Sequence, residues 1–163
     1  IGRNNLTTLP KSIGKLTKLK ILSVQFNELN ELPSQIADLK SLQQLILNQN
    51  NLTVLPDGME LLKNLERLEL SFNSLTALPD SIGQCEGLRF VHLNRNNLQQ
   101  IPSSISNLTH LKEIYLSGAG PLLEIPESMC EMRYLEVLEI DNTTVVPTCL
   151  LVLQANRLEI IVN

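Results

Sequence analysis

Large side chains are scarce in this chain of 163 residues, which has no tryptophan, three phenylalanines and two tyrosines. A core made from such a sequence is aliphatic and rests on many small repeated contacts instead of a few aromatic anchors. Charge of one sign is not concentrated either, since 13 Lys and Arg stand against 17 Asp and Glu for a net charge of -4. Without a basic cluster, general affinity for nucleic acid or for an anionic membrane surface is excluded. Long hydrophobic runs are missing: the longest candidate, Cys149 to Ala155, is far below the ~20 residues that cross a bilayer, so no membrane insertion is expected. The three cysteines, Cys85, Cys130 and Cys149, are odd in number and far apart. That pattern predicts small buried thiols and a reducing compartment instead of a disulfide framework. There is no Gly-rich phosphate loop and no paired-Cys zinc spacing, so no cofactor or metal is expected.

What the chain does have is a period. Leu19, Leu42, Leu65, Leu88 and Leu111 are spaced by a constant 23 residues. In that alignment LKILSVQFNEL, LQQLILNQNNL, LERLELSFNSL and LRFVHLNRNNL superimpose, each followed by a segment such as NELPSQIADLKS. Alternation in the first half predicts a short strand that sends Leu45 and Leu47, or Leu68 and Leu70, to one side. An Asn follows each strand, at positions 4, 27, 50, 73 and 96. Its amide has donors and an acceptor with which stacked copies can satisfy backbone groups freed where the chain bends. Pro at 10, 33, 56, 79, 102 and 126 opens the second half, and apolar residues three apart, such as Ile36, Leu39 and Leu42, fit a 3₁₀ or short helical turn. A single unit cannot bury its own leucines, so stability must come from stacking.

These residues resemble the leucine-rich repeat family, pattern LxxLxLxxNxL, in the subclass whose variable half reads LPxxIxxLxx. The resemblance covers essentially the whole chain. It implies one curved α/β solenoid over residues 1–163, with a parallel sheet of about seven short strands on the concave face and 3₁₀ or short helical turns on the convex one. A partial repeat occupies 1–18, full repeats begin at 19, 42, 65, 88, 111 and 135, and a terminal strand fills 158–163. Asn4, Asn27, Asn50, Asn73 and Asn96 then correspond to the family's asparagine ladder. Because Ile1 falls in the column of the last strand leucine, the sequence opens in mid-repeat and reads as a fragment.

Departures from the period are specific. Ala119, within SGAGPLLEIP, replaces the expected Asn, and the next strand leucine is Leu135, 24 residues after Leu111. One inserted residue beside Gly118, Gly120 and Pro121 predicts a bulge and a broken ladder that persists at Thr143. Thr148 and Cys149 stand where Leu and Pro are expected, and TCLLVLQANR has the helical character of a cap. Phe26 and Phe72, just before the ladder Asn, are expected to pack on their own loops.

Outward strand positions give the candidate binding face. They run through Ile21, Ser23 and Gln25; Gln44, Ile46 and Asn48; Arg67, Glu69 and Ser71; Phe90, His92 and Asn94; Glu113, Tyr115 and Ser117; Val137, Glu139 and Asp141; and finally Ile160 and Val162. Exposed aromatics beside Arg are interface anchors, because they bury large area at small entropic cost. The candidate partner-binding set is therefore Arg67, Glu69, Arg89, Phe90, His92, Arg95, Glu113, Tyr115 and Glu139. Catalysis by His92 lacks a nucleophile, since Cys85 falls in the buried column of Leu39 and Leu62. His110 lies on an outer turn, too distant to complete a metal site with His92.

The function expected is non-catalytic recognition of another protein on a face roughly 30 Å long. The family resemblance implies a signalling adaptor or bacterial effector in the cytoplasm, the host's in the second case, with a small GTPase or other signalling protein as partner. Two alternatives stand beside it: the targeting region of a larger ligase, kinase or GTPase, and a surface or secreted adhesin. Four Asn-x-Ser/Thr tripeptides, at Asn5, Asn51, Asn107 and Asn142, bear on the last, although roughly two arise by chance in such a composition. Secreted eukaryotic relatives carry cysteine-paired caps, and none is visible in the spacing.

Overall fold

The computed structural model describes residues 2–163, so the reading of Ile1 lies outside the described residues. Seven strands form one open, curved sheet: β1 (Ile21–Ser23), β2 (Gln44–Ile46), β3 (Arg67–Glu69), β4 (Phe90–His92), β5 (Glu113–Tyr115), β6 (Val137–Ile140) and β7 (Glu159–Val162). They are parallel and stacked in chain order. The register is the sequence period made visible, with Leu45 beside Leu68, Leu68 beside Val91 and Val91 beside Ile114. Each strand from β2 to β5 has one buried residue between two half-buried ones. One aliphatic core runs through all repeats from Leu9 to Leu158.

The opposite side is made of 3₁₀ turns, at Lys11–Lys15, Ser34–Asp38, Met59–Leu61, Asp80–Gln84, Ser103–Asn107 and Glu127–Glu131. Proline sits one residue before most of these turns, extended at φ near -65°. Its carbonyl accepts the first hydrogen bond of the turn, as from Ile36 N–H to Pro33 and from Ile82 N–H to Pro79. The missing N–H of proline is therefore never needed, and its fixed φ orients the chain into the turn. The repeat containing Pro56 differs, because left-handed Gly58 precedes its shorter turn.

Four stacked asparagines, Asn27, Asn50, Asn73 and Asn96, are buried. Asn73 shows the pattern: its Oδ1 accepts the Leu52 N–H at 3.0 Å, and its Nδ2 donates to the carbonyls of Leu70 and Leu47, each at 3.0 Å. Asn4 differs, being exposed and donating to Gly2 O. At Ala119 the carboxamide is gone, yet the hydrogen bonds are not. The Ala119 carbonyl accepts the Leu98 N–H at 2.6 Å, and its N–H donates to Leu116 O at 2.9 Å. The inserted residue thus puts a main-chain peptide group where an asparagine amide would lie. Gly120 follows because a β-carbon there would overlap the Leu98 carbonyl. One repeat further on Thr143 is exposed, and direct main-chain pairing of Glu124 with Val145 closes the gap.

Three expectations fail at the C-terminal end. First, Pro147 and not Cys149 takes the proline position: its carbonyl receives the Leu150 N–H and opens helix α1 (Thr148–Gln154). Second, β7 is one residue out of phase, since Leu138 pairs with Ile160 and Glu139 with Ile161. Ile160 turns toward the core, so Glu159 and Ile161 face outward in place of Ile160 and Val162. The helix replaces a 3₁₀ turn and delivers the chain to the sheet one residue sooner. Third, Cys130 and Cys149 form a disulfide with their α-carbons 5.8 Å apart, tying the last 3₁₀ turn to α1. Only Cys85 is the buried free thiol that was expected of all three.

Asn73→Ala should lower stability by about 1 to 3 kcal/mol for each buried group it orphans, read as a lower urea midpoint; an unchanged midpoint would contradict the ladder's role. Gly120→Ala should also lower the midpoint, because the Leu98 carbonyl must move to admit the methyl group.

Candidate functional site

Val91 and Leu93 are buried at 1% and 0% exposure, whereas Phe90 and His92 on the same strand stand outward and half-covered by their neighbours. A row of contacts crosses the outward face. The Arg67 guanidinium lies 4.4 Å from the Phe90 ring centroid and its Nη1 is 3.4 Å from Glu69 Oε1. Asn48 Nδ2 donates to Glu69 Oε2 at 2.7 Å. On the next strands the His92 and Tyr115 rings meet at 4.5 Å, tilted by 60°, and Tyr115 Oη donates to Glu113 Oε2 at 3.1 Å. Glu139 Oε1 accepts from the amides of Asn94 and Asn163. Seven of the nine candidate residues, Arg67, Glu69, Phe90, His92, Glu113, Tyr115 and Glu139, therefore share the face through the register of β3 to β6.

The remaining two do not join them. Arg89 precedes β4 and lines a rim depression of about 290 Å³ with Lys63, Glu86 and His110. Arg95 lies beyond the other end of β4, exposed and left-handed at φ 54°, with its guanidinium 5.3 Å from the Phe72 ring. Arg3 covers Phe26 in the same way at 5.2 Å. These phenylalanines stack on an arginine of an adjacent repeat and not simply on their own loops, a correction to the sequence reading. The signal was present in the sequence: Arg3, Phe26, Gln49, Phe72 and Arg95 share one column immediately before the ladder position, and all five have positive φ.

Burial pushes the His92 pKa below its usual 6.5, with Arg67 acting in the same sense and Glu69 the strongest of the carboxylates opposing it. The ring is thus neutral near pH 7, and its Nε2 is covered without a hydrogen-bond partner. Tyr115 is shifted upward, first by burial and then by its bond to Glu113 and the nearby carboxylates. Cys85 lies in the core with Sγ 3.2 Å from Met59 O, and burial raises its thiol to about 11. A thiol so protonated and enclosed is not a nucleophile at neutral pH. His92 therefore serves as a neutral packing group against Tyr115, and the face can offer contact, hydrogen bonds and charge.

A parallel sheet stacked one repeat at a time, with an invariant interior and a varied outward row, defines a solenoid with a binding face. The sequence matches the family description "Leucine-rich repeat region" over residues 1–79 and "Leucine rich repeat" over residues 63–120. The structure of the Leptospira interrogans LRR protein LIC12759 is 35% identical with a TM-score of 0.84, matching 97% of this chain and 40% of that one. The crystal structure of PEPR1-AtPEP1 aligns with 100% of this chain and 28% of that one at 24% identity and TM-score 0.79, a likeness of fold. The chain thus spans less than half the length of either structure. No curated protein is similar enough to count as a match. The chain belongs to the leucine-rich repeat family, whose domains generally act as non-catalytic scaffolds for protein–protein interaction.

The His92 pKa in the folded chain lies below 6.5, so protonation favours the unfolded state. Its contribution to stability is complete above pH 6.5 and is lost as pH falls through the folded value. A proton NMR titration should give His92 a midpoint below 6.5, and Glu69→Gln should lower it further because the Glu69 carboxylate raises it; a midpoint above 6.5 would contradict this burial.

Proposed function

We propose that this chain recognises another protein on its outward sheet face and carries out no chemistry there. The observation that carries the reading is the connected row from Arg67 and Phe90 through His92 to Tyr115 and Glu113. Two of the chain's five phenylalanines and tyrosines stand in that row, already locked by stacking and hydrogen bonds on short strands that cannot slip register. Fixing such side chains before association removes much of the entropy cost of ordering them at an interface. Seven strands at ~4.8 Å spacing give a length that suits a standard interface of ~800 Å² per partner.

The Cys130–Cys149 bridge favours an oxidising compartment over the cytoplasm expected from the cysteine spacing. It gives weight to a surface or secreted binding protein as the second reading, beside a signalling adaptor or effector. All four sequon asparagines, Asn5, Asn51, Asn107 and Asn142, are exposed, which is compatible with that setting.

Arg67→Ala combined with Phe90→Ala should abolish capture of a partner that the unaltered chain retains. The melting temperature should move by no more than about 2 °C, because neither side chain is core. Capture that survives both substitutions, with folding intact, would refute the face as the binding surface.

A further inference from the structure

We propose that the partner segment this face accepts is apolar where it crosses β1 and β2 and basic where it crosses β5 to β7, an inference that rests on the outward-face reading above. The face is asymmetric. Over β1 and β2 the outward residues carry no charge, and Ile21 is 52% exposed beside a half-exposed Ile46. Over β3 and β4 the single cation, Arg67, is already met by Glu69.

Over the last three strands every charge is negative. Glu113, Glu139 and Glu159 stand on β5, β6 and β7, with Asp141 just beyond β6. Among the described residues, none of these four has a cation within ion-pair distance; the ion pairs are Lys63–Glu86, Arg67–Glu69 and Lys112–Glu136. Their recorded hydrogen bonds come from neutral donors: the Tyr115 hydroxyl for Glu113, the Asn94 and Asn163 amides for Glu139, and the Ser117 hydroxyl and Gly118 N–H for Asp141. Such bonds orient a carboxylate and leave its charge in place. The carboxylates also act on the groups between them, since Glu113, Glu139 and Glu159 all raise the Tyr115 pKa. Like charges held on neighbouring strands repel, and an incoming cation relieves that repulsion while a second anion adds to it.

Geometry sets the spacing of the partner. Glu113 and Glu159 both pair with Val137, so they lie two strands apart with Glu139 between them. That span is ~10 Å at the usual strand separation. An extended segment crossing the strands advances about 3.3 Å per residue, so two basic residues separated by one other fit it. The apolar end over β1 and β2 lies ~15 to 20 Å further on, so the whole segment is about ten residues.

The test uses two synthetic peptides of about ten residues with blocked ends. Each has two leucines at one end and, at the other, either two lysines or two glutamates separated by a serine. Nitrogen-15 NMR of the folded chain at low salt should show the lysine peptide shifting the amides of Glu113–Tyr115, Val137–Ile140 and Glu159–Val162. It should bind at least about fivefold more tightly than the glutamate peptide. Glu113→Gln with Glu139→Gln and Glu159→Gln should remove that preference, whereas Glu127→Gln on the outer turn should not. Equal affinity of the two peptides overturns the proposal; if the shifts then stay on β1 to β4, the face still binds and only the basic partner is wrong. Shifts confined to the rims and outer turns for both peptides refute the face as well. Because the peptide comparison is made on the unaltered chain, the result does not depend on how the triple variant folds.

Discussion

The main chain must turn sharply at the end of each strand, and the polar groups exposed by that turn must find partners in a dry interior. Four repeats meet the demand with an asparagine carboxamide, and a fifth meets it with the peptide group of Ala119. The substitution shows what is constrained: a donor and an acceptor at one place, and not a particular side chain. An amide N–H and C=O serve equally well whether they come from a side chain or from the backbone. The backbone version requires one more residue and no β-carbon at Gly120. The inserted residue is therefore a consequence of losing the asparagine, and the local irregularity is what keeps the stack regular on either side.

With that demand met in every repeat, the interior is fixed and the outward row inherits its order. Leu68, Val91 and Ile114 stack, so Arg67, Phe90 and Glu113 must stack one position away, and Glu69, His92 and Tyr115 two positions further along. Residues 23 apart in sequence become neighbours at strand spacing. That is why Arg67 can reach the Phe90 ring and His92 the Tyr115 ring without any contact local in sequence. The fold thereby converts one-dimensional spacing into a surface whose side chains are positioned by leucines they never touch.

The same logic explains what could and could not be read from the residues. Strands β1 to β6 and the orientation of Phe90 and His92 were legible because both follow from one period and its inward leucines. Arg89 and Arg95 were grouped with Phe90 because they are near it in sequence, but residues flanking a three-residue strand lie on opposite rims. The pairing of Arg95 with Phe72 was hidden for the complementary reason, since it joins neighbouring repeats. β7 escaped because its phase depends on how far α1 advances the chain, a matter of helix geometry that spacing alone does not supply. The Cys130–Cys149 bridge escaped because its cysteines occupy different elements, a 3₁₀ turn and a helix, which come together only once the last repeat is stacked.

Hydrogen bonding and charge balance are separate conditions, and the outward face satisfies them unequally. Glu69 has both an amide donor and a guanidinium, so it is satisfied in either sense. Glu139 has two amide donors and no cation, so its geometry is settled and its charge is not. For stability alone the difference is small, because half-exposed carboxylates are screened by water and salt. For association it is large, since a docking surface excludes that screening and leaves the unbalanced charge to whatever replaces the water. A face can in this way be rigid and internally bonded while still selecting the sign of what it meets, and in a solenoid the two properties are set by different rows of the same strands.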